Sequence, residues 1–261
     1  MSIPTKVLSA DHKGRKKEMK TIKISGAIAF LATLLLAPAL SHQQYPEPFT
    51  QTRESNSRMT PDTTLAALKA GNERFLRGTL IGRGIRQQFR DTAKGQYPFA
   101  VVLNCQDSRA PVELLFDLNN GDAFSLRIAG NVLNEDMLGG LEFGTAPYYA
   151  KLIVVMGHTG CGAITGTIDM KADIDRGERG NLIDLLRKIR PALDMVDPSI
   201  QPRTSSNPKY VNAIARANVL LVMRQIRERS GDLKRKFDSK AIDMIGAMHD
   251  LSTGEVTFFK E

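Results

Sequence analysis

The stretch FAVVL at residues 99–103 decides the fold class of this chain, because it is an unbroken apolar run. Apolar residues without polar alternation are typical of a strand that is covered on both faces, as in parallel sheets. Further strand-like runs lie at 124–128 and 152–156, with helical patterns between them and after the last of them. Strands that alternate with helices predict an α/β fold with a central, mostly parallel sheet flanked by helices.

Capping residues mark the ends of the predicted helices. TPD at 60–62 predicts a helix start, because threonine caps the first turn and proline at the first helical position needs no N–H partner. Gly78 is predicted to end this helix. The other predicted helices cover 138–149, a segment after Cys161, and 211–230 with Gly231 as its cap.

The end of the chain predicts a hairpin that extends the sheet. Residues 241–248 and 255–259 are strand-like, and STG at 252–254 is a turn signal between them. No internal repeat is visible, so we expect a single α/β domain over 60–261. We divide this domain into a helical arm at 60–95 and a core at 96–261.

The first 41 residues predict a secretory signal peptide, since they combine basic residues, an apolar run at 27–36 and small residues near the expected cleavage site. The alternative is an uncleaved anchor, although this run is short for a bilayer. The polar segment 42–59 is predicted to be a flexible linker. We therefore expect an exported protein, periplasmic in a cell with two membranes and free of the membrane after cleavage.

The charge of the chain does not predict a nucleic-acid partner. The formal net charge is +8, but residues 1–41 contribute +5 of it. What remains is too small to indicate a basic binding face.

The two cysteines of the chain lie where two predicted strands end. Cys105 comes shortly after the first strand, and His158 and Cys161 follow the third. Because ligands bind at the carboxyl ends of parallel strands, we expect these side chains to meet. Two thiolates and one imidazole form a complete protein shell for one zinc ion with an open fourth position.

A disulfide is the main alternative to a metal site. In an exported protein, two cysteines are most simply a Cys105–Cys161 bond within a non-catalytic domain. The neighbouring residues favour the metal, because Asp107 and Arg109 are the residue types that an open zinc position needs beside it.

The pattern Cys105-x-Asp107-x-Arg109 with His158-x-x-Cys161 resembles the signature of the β-class carbonic anhydrases. Further similar segments are RIAGN at 127–131, GLEF at 140–143 and VVMGH at 154–158. The resemblance implies reversible hydration of carbon dioxide to bicarbonate and a proton by zinc-bound hydroxide. It implies one zinc per subunit on the two cysteines and the histidine, with Asp107 and Arg109 as the catalytic dyad. The nearest alternative is a zinc hydrolase of the same fold that acts on carbon disulfide or carbonyl sulfide.

The resemblance also implies a homodimer or a tetramer, because the family builds its substrate pocket across a subunit interface. Gln96 matches a glutamine that bonds substrate from the partner subunit, and Phe124 matches an apolar wall residue. Phe143 stands where many members have tyrosine, and Gly162 places a backbone N–H near the metal. Core packing is the alternative for the first three. Gln96 and Phe124 resemble the members whose zinc stays open, so we expect Asp107 to become a fourth ligand only in a closed form.

Overall fold

The computed structural model describes residues 50–81, 84–146 and 149–260. The predicted signal peptide and the start of the predicted linker lie outside the described residues. The strands are β1 Ala100–Asn104, β2 Ala123–Arg127, β3 Leu152–His158, β4 Asp243–His249 and β5 Val256–Phe259. The helices are α1 Arg53–Ser57, α2 Pro61–Arg77, α3 Ile85–Thr92, α4 Val112–Leu115, α5 Glu135–Gly144, α6 Gly162–Asp169, α7 Lys171–Asp175, α8 Asn181–Arg187, α9 Pro208–Arg229 and α10 Gly231–Asp238. Short 3-10 turns occur at Ala129–Asn131 and Arg190–Met195.

The strands form one sheet in the order β2-β1-β3-β4-β5. β1 pairs in parallel with β2 and β3, and β3 pairs in parallel with β4. β5 returns antiparallel to β4, so the predicted α/β fold and its C-terminal hairpin are both confirmed. Four carboxyl ends therefore point to the same edge of the sheet.

The inner strands have no polar alternation because both of their faces are covered. Val102 and Val154 pack with Leu68 of α2 on one face. Val101 and Ile153 pack on the other face, among residues of α9 and α5. All five side chains are buried. Full burial of such a side chain is worth about 1.5–3 kcal/mol, so these contacts fix the positions of β1 and β3.

Helix α2 begins and ends as the sequence predicts. The Thr60 hydroxyl accepts a hydrogen bond from the Thr63 N–H, and Gly78 ends the helix with φ of +67°. Gly71, within the helix, lets α2 lie close to the backbone at Phe116, since a Cβ on residue 71 would be 1.8 Å from the Phe116 carbonyl oxygen.

Other predicted boundaries are wrong. The helix predicted over 138–149 begins at Glu135 and ends at Gly144. Gly231 does not cap the long helix but opens α10, because the Ser230 hydroxyl accepts from the Leu233 N–H and starts a new helix.

Part of the segment predicted as a flexible linker is ordered. Residues 53–57 form α1, whose Asn56 side chain is buried. Its Nδ2 donates to the carbonyl oxygens of Tyr97 and Pro98, each at 3.0 Å, and this ties α1 to the segment before β1. Among the described residues, no helix has both the length and the apolarity to cross a bilayer.

Candidate active site

The carboxyl edge of the sheet brings the two cysteines and the predicted histidine ligand together. Cys105 directly follows β1, and Cys161 is the residue before α6. His158 is the last residue of β3 rather than the first residue after it. All three are buried, and their ligand atoms lie within 4.8 Å of one another. We call Cys105, His158 and Cys161 the ligand cluster.

The spacing of the sulfur atoms fits a shared ion rather than a covalent bond. The two Sγ atoms lie 4.0 Å apart, and both cysteines are free. A disulfide needs about 2.05 Å, whereas two thiolates at about 2.3 Å from one tetrahedral ion lie about 3.8 Å apart. The structure therefore does not show the alternative Cys105–Cys161 bond.

His158 is oriented with one nitrogen free for a ligand. Its Nδ1 lies 3.0 Å from the carbonyl oxygen of Thr159, an acceptor that places the ring proton on Nδ1. Its Nε2 is buried and has no hydrogen-bond partner in the described part of the chain. An unpartnered buried nitrogen beside two sulfurs is the donor that zinc would engage. The three side chains thus fit a zinc ion.

The two thiols hold a single negative charge readily but not two. A hydrogen bond from the Cys161 thiol lowers the pKa of Cys105 to about 4, and the backbone N–H of Gly130 contributes to this shift from 3.3 Å. The same bond and burial raise the pKa of Cys161. A second thiolate therefore forms only when a cation offsets its charge.

Asp107 and Arg109 form a bidentate ion pair beside the ligand cluster. Arg109 Nε donates to Oδ1 at 2.9 Å, and its Nη2 donates to Oδ2 at 2.7 Å. The guanidinium holds the pKa of the Asp107 carboxyl well below its usual range, so this group stays ionised. Oδ2 also lies 4.0 Å from His158 Nε2, so the carboxylate borders the space between the ligands. Arg109 therefore holds both carboxylate oxygens of Asp107 in place beside the cluster.

The loop that carries this pair is held at both ends. Asn104 donates from Nδ2 to the Ala110 carbonyl oxygen at 2.9 Å. Arg127 donates to the carbonyl oxygens of Cys105 and Asp107, at 3.2 and 2.5 Å. In the sequence, Arg127 stands out only as part of the segment RIAGN, and nothing there indicates this role.

Of the four predicted substrate residues, Gly162 adjoins the ligand cluster directly, as the neighbour of Cys161, and the other three make contacts elsewhere in the chain. Gln96 is exposed and lines a surface depression of about 290 Å³ with residues of α3 and the turn before β2. Phe124 packs edge-to-face on Phe143 and Tyr149, with ring centroids 5.7 and 5.5 Å away. We call Phe124, Phe143 and Tyr149 the aromatic edge. Gly162 opens α6 and is exposed, as a backbone donor near the cluster would be.

Asn218 is a polar residue near the site that sequence reasoning missed. It lies on α9 and is fully buried, and its Nδ2 donates to the Gly130 carbonyl oxygen at 2.8 Å. The only signal in the sequence is a polar residue among the apolar positions of a long helix. A buried amide of this kind requires a partner, but the pattern does not say which one.

Fold and site together define an α/β protein with a group of potential metal ligands at the carboxyl edge of a mostly parallel sheet. A family profile described as carbonic anhydrase matches residues 100–256. A carbonic anhydrase from Mycolicibacterium smegmatis is 31% identical over 75% of this chain and 92% of its own length. Carbonic anhydrase 2 from Mycobacterium tuberculosis is 29% identical over 74% of this chain and 90% of its own length.

Solved structures show the same fold. The β-carbonic anhydrase CcaA has a TM-score of 0.59 at 19% identity, covering 76% of this chain and 88% of its own. The Coccomyxa β-carbonic anhydrase has a TM-score of 0.58 at 21% identity, covering 66% and 76%. The chain belongs to the β-class carbonic anhydrase family and is an enzyme of that family.

Proposed function

We propose that this protein hydrates carbon dioxide reversibly to bicarbonate and a proton, with one zinc ion per subunit on Cys105, His158 and Cys161. One observation carries the proposal: three buried ligand atoms within 4.8 Å of one another stand beside a clamped carboxylate. Membership of the carbonic anhydrase family supports the reaction and the substrate.

Zinc in this site would supply a Lewis acid that lowers the pKa of water, to about 7 where the ligands are three neutral histidines. Of the three ligands, Cys105 and Cys161 are anionic, so they offset the charge of the ion more than three neutral histidines do. We therefore expect activity that rises toward alkaline pH. A profile already at its maximum below neutral pH would contradict this expectation.

Asp107 is placed to orient the reacting water. Its carboxylate is ionised, so it can only accept a hydrogen bond from that water, and this turns a lone pair of the water oxygen toward carbon dioxide. Arg109 engages both carboxylate oxygens, which holds Asp107 at this position. As long as Arg109 holds Asp107, this carboxylate does not become a metal ligand, and the fourth position is available to the reactants.

The substrate pocket is proposed to need a second copy of the chain. Gln96 is exposed and lies in a depression that none of the ligand cluster lines. β2 is an edge strand, and beside it the Phe143 side chain is 60% exposed. We infer a homodimer, or a tetramer built from it, in which Gln96 of the second copy reaches substrate and the aromatic edge becomes buried.

We also propose that residues 1–41 direct export and are then removed. The support is the sequence pattern of basic, apolar and small residues. N-terminal sequencing of the protein recovered from its host checks this, because a chain that still begins at Met1 contradicts removal.

Metal analysis combined with thiol counting tests the main proposal. We expect one zinc per chain, two free thiols after denaturation, and carbon dioxide hydration that is lost on chelation and restored by zinc. The rate is measured by stopped flow with a pH indicator. Oxidised cysteines and no bound metal would overturn the proposal.

A further inference from the structure

A chain of two hydrogen bonds links α9 to one sulfur of the ligand cluster. Asn218 Nδ2 donates to the Gly130 carbonyl oxygen at 2.8 Å. The Gly130 N–H in turn donates to Cys105 Sγ at 3.3 Å. Asn218 is 0% exposed, and Cys105 is 4% exposed. Both bonds therefore lie in a low-dielectric interior, where hydrogen bonds are electrostatically stronger than in water.

The turn that carries Gly130 depends on contacts from outside itself. It is closed by the Asn131 N–H, which donates to the Ile128 carbonyl oxygen at 2.9 Å. Gly130 has φ of +63°, and a Cβ there would lie 2.6 Å from Ile189 Cδ1. Glycine is therefore required at this position, and glycine has no side chain of its own to fix the turn. Asn218 supplies a polar contact to Gly130 from α9, outside the turn.

We propose that Asn218 is a positioning residue, which holds Gly130 so that its N–H bonds to the Cys105 sulfur and limits the charge that this sulfur gives to the metal. The proposal rests on the zinc site proposed above. Groups that bond to a metal ligand tune the metal through that ligand, and hydrogen bonds to sulfur are one such means. With two thiolate ligands, this bond counteracts part of the loss in Lewis acidity.

A purely structural role for Asn218 is separable from this one. Asn56 is a matched control, because it is also 0% exposed. Its Nδ2 likewise donates to backbone carbonyl oxygens, and its Oδ1, like that of Asn218, has no hydrogen-bond partner in the described part of the chain. Asn56 bonds to Tyr97 and Pro98, ahead of β1, and not to the turn at Gly130. Replacing either asparagine by leucine leaves buried carbonyl groups unpaired, so both variants should melt at a lower temperature.

Absorption spectra of the cobalt(II)-substituted protein test the proposal. Cobalt(II) takes the place of zinc in thiolate sites and shows a sulfur-to-metal charge-transfer band. A sulfur that loses its N–H donor gives up charge more easily, so we expect Asn218→Leu to move this band to longer wavelength. Asn56→Leu should keep the wild-type band. A wild-type band in Asn218→Leu, with only a lower melting temperature, would overturn the proposal.

A second measurement uses the wild-type protein, so the proposal can be tested even if Asn218→Leu does not fold. In the wild-type protein loaded with cadmium-113, we expect a scalar coupling between the metal and the Gly130 amide proton, transmitted through the Cys105 sulfur. Absence of this coupling also overturns the proposal. If the wild-type protein takes up neither metal, it is the zinc site itself that fails. Uptake with an unchanged band in Asn218→Leu refutes only the role of Asn218.

Discussion

The ligand cluster and the aromatic edge belong to the same proposed active site, but they depend on different amounts of the molecule. The ligand cluster follows β1 and β3, which have a strand on each side, and its residues are buried within one chain. The aromatic edge lies at β2, which has a neighbour on one side only, and Phe143 there is 60% exposed. The inner strands thus bring the three predicted ligands together within one chain, whereas the aromatic edge at β2 stays partly exposed and, in our proposal, is completed by a second chain.

Removal of one ligand should have the largest effect and should leave the aromatic edge unchanged. We expect Cys161→Ser to lose its zinc and to reduce hydration to the uncatalysed rate, because one thiolate and one imidazole do not hold the ion. Metal content and the stopped-flow rate measure this. Phe143→Ala is the matched control and should keep one zinc per chain. Full zinc content in Cys161→Ser would remove this residue from the ligand set.

The clamp on Asp107 should come next in size. We expect Arg109→Ala to keep zinc but to lose turnover by about a hundredfold, because an unheld general base or orienting group loses most of its contribution. Arg109→Lys should recover little of this loss, since an ammonium cannot engage both carboxylate oxygens in one plane. Zinc analysis and kcat are measured on the same samples. Wild-type turnover in Arg109→Ala would show that the clamp does not matter.

The same contrast explains which parts could be predicted from sequence. The apolar run of β1 and the residue types at the strand ends are local signals, and parallel pairing then brings Cys105 and His158 together. The role of Asn218 depends on a partner 88 positions away, so no local pattern reveals it.

Competing local signals account for the misplaced boundaries. Gly231 was predicted to end a helix, but Ser230 is an equally good N-cap and starts α10 there. Residues 53–57 look polar and linker-like, yet Asn56 finds backbone partners before β1. The roles of Gln96, Phe124 and Phe143 in a substrate pocket rest on the proposed second chain, so they stay predictions.

A charged residue in the aromatic edge should weaken dimerisation without changing zinc binding by the ligand cluster. We expect Phe143→Asp to weaken dimerisation by about 2 kcal/mol or more, roughly thirtyfold, because an exposed aromatic side chain at an interface is a typical hot spot. Leu182→Asp is the control, since Leu182 is equally exposed at 61% but lies on α8, which packs mainly against α6 and α7. Sedimentation measures the dimer and metal analysis measures the zinc. A dimer as strong as the wild type would place the interface elsewhere.

The smallest expected effect is a loss of stability in acid. It concerns a buried histidine on an inner strand, where the exposed aromatic edge has no counterpart. His249 ends β4 and pairs in register with His158, and burial lowers its pKa from 6.5 to about 4. Below pH 6.5, His249 takes up a proton in the unfolded chain but stays neutral in the folded chain. The free energy of unfolding therefore decreases as the pH falls from 6.5 toward 4. Between pH 7.5 and 5 this loss is roughly 2 kcal/mol.

Replacing this histidine with a side chain that does not titrate should remove the loss. We expect His249→Gln to lose less unfolding free energy than the wild type on acidification, by roughly the same 2 kcal/mol. Urea titrations at the two pH values measure it. Because His249 is paired with His158, the metal content of both proteins is measured at both pH values, and the comparison uses samples in which it is equal. Parallel losses in the two proteins would show that His249 becomes protonated in the folded state, and that the carboxyl edge of the inner strands is more open to water than its burial indicates.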